Sequence, residues 1–217
     1  MTSTQRERRS PVTLSGRPVK TESRNDWIVV LEYAQEGAGP WLVDLSHTTR
    51  LDVQGKDLQG LLPPAFPVPE APGGVHAGQE MLIARMNAVQ ACFWLFDAKV
   101  EIPRRYEITE ITEASAGLAL LGGGIVRLAE KLTSLDLLDS RRQAPFLIQG
   151  PFSHVPCQLI VLGNEAGKEA LLLTCSRGYA HDMVHAIGEA GEEYGLRAAG
   201  EERFLQLLRA ITERHQV

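Results

Sequence analysis

Two short stretches hold most of the residues that could do chemistry. One is WLVDLSH, with Asp44, Ser46 and His47; the other is LTCSRGYAHD, with Arg177, Tyr179, His181 and Asp182, followed by His185. Carboxylate, hydroxyl and imidazole are the parts of a hydrolytic triad. Adjacent side chains on a strand point to opposite faces, however, so Ser46 and His47 do not meet in triad geometry there. Turn formation is the better reading, with Asp44 and Ser46 bonding local backbone. His181 and His185 share a helix face at a spacing that suits a metal, but no Glu follows His181 to make HExxH and no third ligand is evident, so no metal is expected. In LTCSRGYAHD, Gly178 is read as ending a strand. Asp182 then falls in a first helical turn, where an acid complements the helix dipole.

Other candidates have plain structural readings. The LGGGI stretch at Gly122–Gly124 matches neither GxGxxG nor GxxxxGK[ST], and reads as a tight passage from strand to helix. Arg141 and Arg142 lie in a loop and are expected to be solvated, with an anion as the alternative. His154 falls at a hairpin bend. Trp27, Trp41, Trp94 and Tyr33 lie in strand-like segments, where core packing is the default and a partner interface the alternative. Cys92, Cys157 and Cys175 are far apart, form no CxxC pair and sit in apolar runs, which predicts reduced, buried thiols.

The elements that must position these residues follow from periodicity. Residues 1–25 are polar and charged and are expected to be a disordered tail, with an arm that orders on a partner as the alternative. WIVVLEYA, the end of WLVDL and RLDV read as strands, KDLQGLL as a short helix, and PPAFPVPEAPGG as a loop. MLIARM and ACFWLF form a predicted hairpin. Then YEITEIT and AGLALL read as strands, IVRLAEKLTSL as an amphipathic helix, and FLIQGPF with CQLIVLG as a second hairpin. EALLLTC is a strand, and helices are expected over GYAHDMVHAIGEAGEEYG and EERFLQLLRAITERH, with GLRAAG between them. Met81–Phe96 aligns without gaps on Phe146–Val161, placing Cys92 on Cys157. The repeated order predicts an α+β fold of two related sheet-and-helix units with antiparallel hairpins, residues 26–106 and 107–217.

Composition excludes some classes. Of 217 residues, 44% are hydrophobic, enough for a globular core, and the net charge of −5 argues against nucleic-acid binding, which needs clustered Lys and Arg. The opening MTSTQRERRSPVTLSG lacks the apolar core of a secretory leader, and no apolar run reaches membrane-span length, so no membrane is expected and a cytoplasmic location is.

The order of pieces resembles the T-protein family, the folate-binding aminomethyltransferases of glycine cleavage and their relatives. WLVDLSH resembles the family's Asp-x-Ser-His strand end. ASAGLALLGGGIVRLAEKLTSLDL resembles its later strand, Gly break and helix, FLIQGPFSHVPCQLIVLG its hairpin, and LLLTCSRGYAHDMVHAIGEAGEEYGLRAAG the strand, turn and helix before its Gly-Leu-x-x-x-Gly element. Within the family, size and layout are most similar to the gamma subunit of heterotetrameric sarcosine oxidase. The resemblance spans residues 40–200. It implies an accessory subunit of an oxidative demethylation complex, with larger flavin- and folate-binding subunits as partners. The alternative it implies is a stand-alone tetrahydrofolate-binding or one-carbon-transferring protein. A third branch, a factor for iron–sulfur assembly, carries a reactive Cys in a Lys-Gly-Cys-x-x-Gly-Gln-Glu motif, which Cys175 does not match.

Departures from the family pattern bear on activity. Its transferases carry a catalytic Asp in the first hairpin region, yet no carboxylate lies between Glu80 and Asp97. Its Ser-Arg-x-Gly-Tyr-x-Gly-Glu-Asp turn, whose Glu holds the pterin, reads here as Ser176 to Asp182, one residue shorter and without that Glu. No catalytic residue is therefore expected. If tetrahydrofolate binds, the resemblance implies Arg177, Tyr179 and Asp182, because paired pterin N–H donors seek a carboxylate.

Overall fold

The computed structural model describes residues 7–97, 100 and 103–214. Its elements run β1 (Pro18–Arg24), β2 (Trp27–Tyr33), β3 (Trp41–Asp44), β4 (Thr49–Gln54), β5 (Val75–Ala77), β6 (Met81–Asn87), β7 (Gln90–Leu95), β8 (Ile108–Glu110), β9 (Ser115–Leu121), α1 (Ile125–Glu130), β10 (Phe146–Phe152), β11 (Val155–Gly163), β12 (Ala170–Ser176), α2 (Ala180–Gly191), β13 (Arg197–Ala199) and α3 (Glu201–Arg214). The fold is α+β, built mainly from antiparallel strands.

Two sheets form the body. One has the order β10-β11-β12-β9-β3-β13 and the other β5-β6-β7-β4-β8. The sequence halves interlock through these orders. Strand β3 from the first half pairs with β9, and β8 from the second half pairs with β4. Strand β9 explains the layering. SAGLALL is buried at every position, so it carries no period-two alternation. Its residues still alternate between two cores: Ala116, Leu118 and Leu120 pack with α1 and α2, while Ala119 and Leu121 pack with β6, β7 and α3. A third cluster covers the outer face of the smaller sheet, where Leu58, Leu62 and Phe66 from the Pro-rich connection sit on Leu51, Ile83 and Phe93.

Both expected hairpins form. At the second, Ser153 and His154 have φ of +48° and +65°, the backbone of a two-residue type I′ turn. The alignment of the hairpins holds at their turns, where Asn87 faces Gln90 and Phe152 faces Val155, but a register shift between Arg85 and Asn87 offsets the first beyond that point.

Several expectations need correction. KDLQGLL forms turns, with the Asp57 carboxylate accepting from the Gly60 N–H at 3.0 Å, because the prolines that follow leave no room to propagate a helix. The IVRLAEKLTSL helix stops after Glu130, and Leu132 and Leu135 reach the core from irregular chain. YEITEIT shrinks to the three residues of β8.

The largest correction concerns the expected tail. Residues 1–6 lie outside the described residues, but Pro18–Arg24 is a strand paired with β2 through a turn at Asn25 and Asp26, both with positive φ. Ahead of it, an arm lies across the body. Val12 is buried in the core, and Arg8 sits over the Trp27 ring and pairs with Glu113 at 2.7 Å. Intramolecular β pairing and these few anchors offset an entropy that composition alone does not.

Candidate functional site

The Asp-x-Ser-His segment lies where β3 leaves its sheet and turns toward β4. The Asp44 carboxylate accepts from the Ser46 backbone N–H at 2.9 Å, the local turn expected of it, and from the Ser10 hydroxyl of the arm at 2.5 Å. Ser46 reaches further than the next turn: its hydroxyl accepts from the Gly117 N–H at 3.3 Å, tying this corner to β9. His47 points the other way. Its Nε2 lies 2.7 Å from Glu201 Oε1, which also accepts from Arg24 Nη1 at 2.9 Å. Burial opposes the charge on Glu201, but the hydrogen bonds and charges of His47 and Arg24 outweigh it and hold the carboxyl below its usual range. Ser46 and His47 thus serve different partners, and no triad forms.

Beside this corner is Arg50, fully buried on β4. Its Nε donates to Ser115 Oγ at 3.2 Å, and Nη1 donates to the Leu45 carbonyl at 3.1 Å. Nη2 donates to the carbonyls of Thr112 and Ser115, both at 2.8 Å, and of Ser46 at 3.2 Å. The guanidinium stacks 5.1 Å from the Trp94 ring centre. It therefore joins β4, the Ser46 corner and the start of β9, with no ion pair to a carboxylate among the described residues. Burial pushes it down to about 10; the Asp44 charge partly offsets this, and the Arg177 charge adds slightly to it. Gly117 permits the approach: a Cβ there would stand 2.3 Å from Arg50 Nη1 and 2.7 Å from Trp94. Periodicity gave no sign of Arg50, because in TRLDVQ it occupies a polar position of an alternating strand whose two faces are both covered.

Between the arm and this corner is a small cavity of about 30 Å³ touched by Ser10, Trp27, Tyr33, Asp44 and His47. That is room for one water molecule, far below the roughly 300–1,000 Å³ of small-molecule sites.

The turn after β12 is arranged differently. Ser176 ends the strand, Arg177–Tyr179 form a single 3-10 turn, and His181 and Asp182 fall in the first turn of α2. Arg177 folds back, donating from Nη2 to the Arg9 carbonyl at 2.7 Å, and its Nη1 is buried without an acceptor. Tyr179 is 49% exposed, and the Asp182 side chain is 82% exposed. His181 lies 3.5 Å from Asp182, while His185 pairs with Glu189 at 3.3 Å on the next turn. The three residues read as a pterin site thus divide between the arm and solvent. Among the described residues no group of three or more His, Cys, Asp or Glu is placed to hold a metal.

The remaining candidates have partners. The amide at the start of α1 that would suit a phosphate is used: Gly124 N–H donates to the Glu169 carboxylate at 2.8 Å. Arg141 is solvated as expected, its side chain 86% exposed, and it also forks onto Asp139 at 2.9 and 3.0 Å, bonds that hold the Asp139 carboxyl down to about 2. Arg142 stacks over Phe146 and donates to the Leu147 carbonyl. The three thiols are free and buried, and burial raises Cys92 and Cys157 to about 12 and Cys175 to about 11. Trp27, Trp94 and Tyr33 are core residues.

A chain of heterotetrameric sarcosine oxidase from Corynebacterium sp. U-96, determined in complex with pyrrole 2-carboxylate, superposes with a TM-score of 0.57, covering 70% of this chain and 84% of that one at 14% identity. This chain shares that chain's fold. No family model matches the sequence, and no curated protein does. Among the described residues no helix is long and apolar enough to cross a membrane.

Proposed function

We propose that this chain is a non-catalytic accessory subunit, of the gamma type within the T-protein superfamily, in a sarcosine-oxidase-type oxidative demethylation complex. The observation that carries the reading is the shared fold with a chain of a heterotetrameric sarcosine oxidase over most of both lengths. Two features of the chain's own chemistry support it. In its polar corner Asp44, Ser46, His47 and Arg50 are engaged in internal hydrogen bonds, and Arg177, Tyr179 and Asp182 do not converge on one point. In this reading flavin and folate chemistry belong to larger partner subunits in the cytoplasm, and this chain completes the assembly.

The test is purification of the tagged chain from its own cells, followed by size-exclusion chromatography with flavin absorbance and sarcosine-dependent oxygen consumption. The expected result is stoichiometric co-elution with larger flavin-bearing chains, with activity confined to that fraction. Elution as a lone chain, with sarcosine oxidation in another fraction or in none, would contradict the reading. A stand-alone tetrahydrofolate protein is the second reading. It rests on the buried Arg177 Nη1, which has no acceptor and lies in the turn that resembles the family's pterin loop.

A further inference from the structure

A cleft of about 600 Å³ opens between α3, the turn joining β11 to β12, and the segment ahead of β10. Its volume lies within the roughly 300–1,000 Å³ typical of small-molecule sites. Trp41, Leu162, Leu207 and Ile211 give it apolar walls, and Gln143, Asn164 and Gln206 add amides. The charged residues lining it are Lys168, Arg203 and Glu165; Lys168 pairs with Glu165, and Arg203 with Glu36.

Arg203 is held in place in advance. Its guanidinium lies 4.7 Å from the Trp41 ring centre, and Nη2 donates to Glu36 Oε2 at 3.2 Å. Glu36 is itself fixed, its Oε1 accepting from the N–H groups of Tyr33 at 3.0 Å and Gly200 at 2.8 Å. Trp41 is fixed by donation from Nε1 to the Glu36 carbonyl at 2.9 Å. Arg203 Nε is buried, but the side chain as a whole stays 36% exposed. A guanidinium immobilised against an indole, with part of its planar edge still open, is preorganised for a planar carboxylate, and holding it so removes part of the ordering cost of binding. Lys168, whose Nζ is 3.7 Å from Glu165 and more than half exposed, supplies a second, mobile cation.

We infer that this cleft binds a small amphipathic carboxylate, its apolar body against Trp41, Leu162 and Leu207 and its head at Arg203 and Lys168. The inference is independent of the subunit reading.

Isothermal titration of the full chain with 2-naphthoate, and with neutral 2-naphthamide as the matched control, tests it. Saturable naphthoate binding is expected, at least tenfold tighter than the amide. Lys168→Gln should reduce that preference several-fold without touching a buried group. Ala210→Trp, at an exposed α3 position that lines the cleft, should abolish binding of both probes while leaving thermal unfolding unchanged. The inference is overturned if the folded wild-type chain shows no saturable binding at millimolar probe, if acid and amide bind equally, or if Ala210→Trp binds as wild type does. Should Ala210→Trp fail to fold, Gln206→Trp, also exposed and on the same wall, replaces it with the same expectation.

Discussion

The corner around Arg50 and the turn at Arg177–Asp182 are both rich in residues that could do chemistry, yet the two are built in opposite ways. Around Arg50 the guanidinium and the Ser46 and Ser115 hydroxyls are buried and bonded across at least two elements. At the turn, Asp182 and Tyr179 face solvent, and Arg177 is engaged by the arm. Likeness of residues therefore does not set a role; the surroundings do. A buried, fully bonded arginine holds strands together, whereas an exposed carboxylate without convergent donors has little to hold a ligand with.

The sharpest way to break this contrast is at Arg50. Arg50→Ala would leave a cavity and several buried carbonyls without donors, and should cost about 4 kcal/mol or more by urea denaturation. Arg50→Met keeps much of the volume and should recover about 1 kcal/mol of that loss. A cost below about 1 kcal/mol for Arg50→Ala would end the claim that this residue is the keystone of the corner.

Next is Glu201, for which Glu201→Gln should cost about 2 kcal/mol at pH 7, because its bonds from Arg24 and His47 lose their charge assistance. The pH dependence has a definite sign. Its carboxyl is held below the ordinary value, so the stabilisation is fully present above about pH 4.3 and fades as pH falls through the lower folded value. Denaturation curves of wild type and variant should therefore converge toward acid, and a gap that widens there would reverse the assignment.

A comparable effect, about 1–3 kcal/mol, is expected for Gly117→Ala, since the new methyl must displace Arg50 or Trp94. At the other pole, Asp182→Ala should change stability by less than about 0.5 kcal/mol, read from the same denaturation curves.

Much of this architecture is legible in the sequence, for identifiable reasons. Both hairpins are visible because apolar runs flank short polar bends, and the Gly122–Gly124 break because a strand there passes straight into a helix. Strand β1 is not visible in the same way. PVKTESR is exposed along nearly its whole length, so no hydrophobic pattern marks it, although the adjoining Asn25–Asp26 is a pair that accepts positive φ and is a hairpin signal in its own right. Phe66 in the Pro-rich connection shows the converse: the prolines reveal the loop, but that it carries a core side chain depends on a sheet face needing cover. Arg50 and Arg203 were both hidden, because what distinguishes them is a set of partners distant in sequence. The polar corner was half legible, with Asp44 in its expected local turn and Ser46 and His47 bound to β9 and α3 instead.

The central proposal is that the Arg177–Asp182 turn is scaffold and holds no pterin. Isothermal titration of the folded, isolated chain with tetrahydrofolate tests this most directly. The account predicts no saturable binding at micromolar concentrations. Micromolar binding that disappears in Asp182→Ala would contradict it and make the turn a folate site.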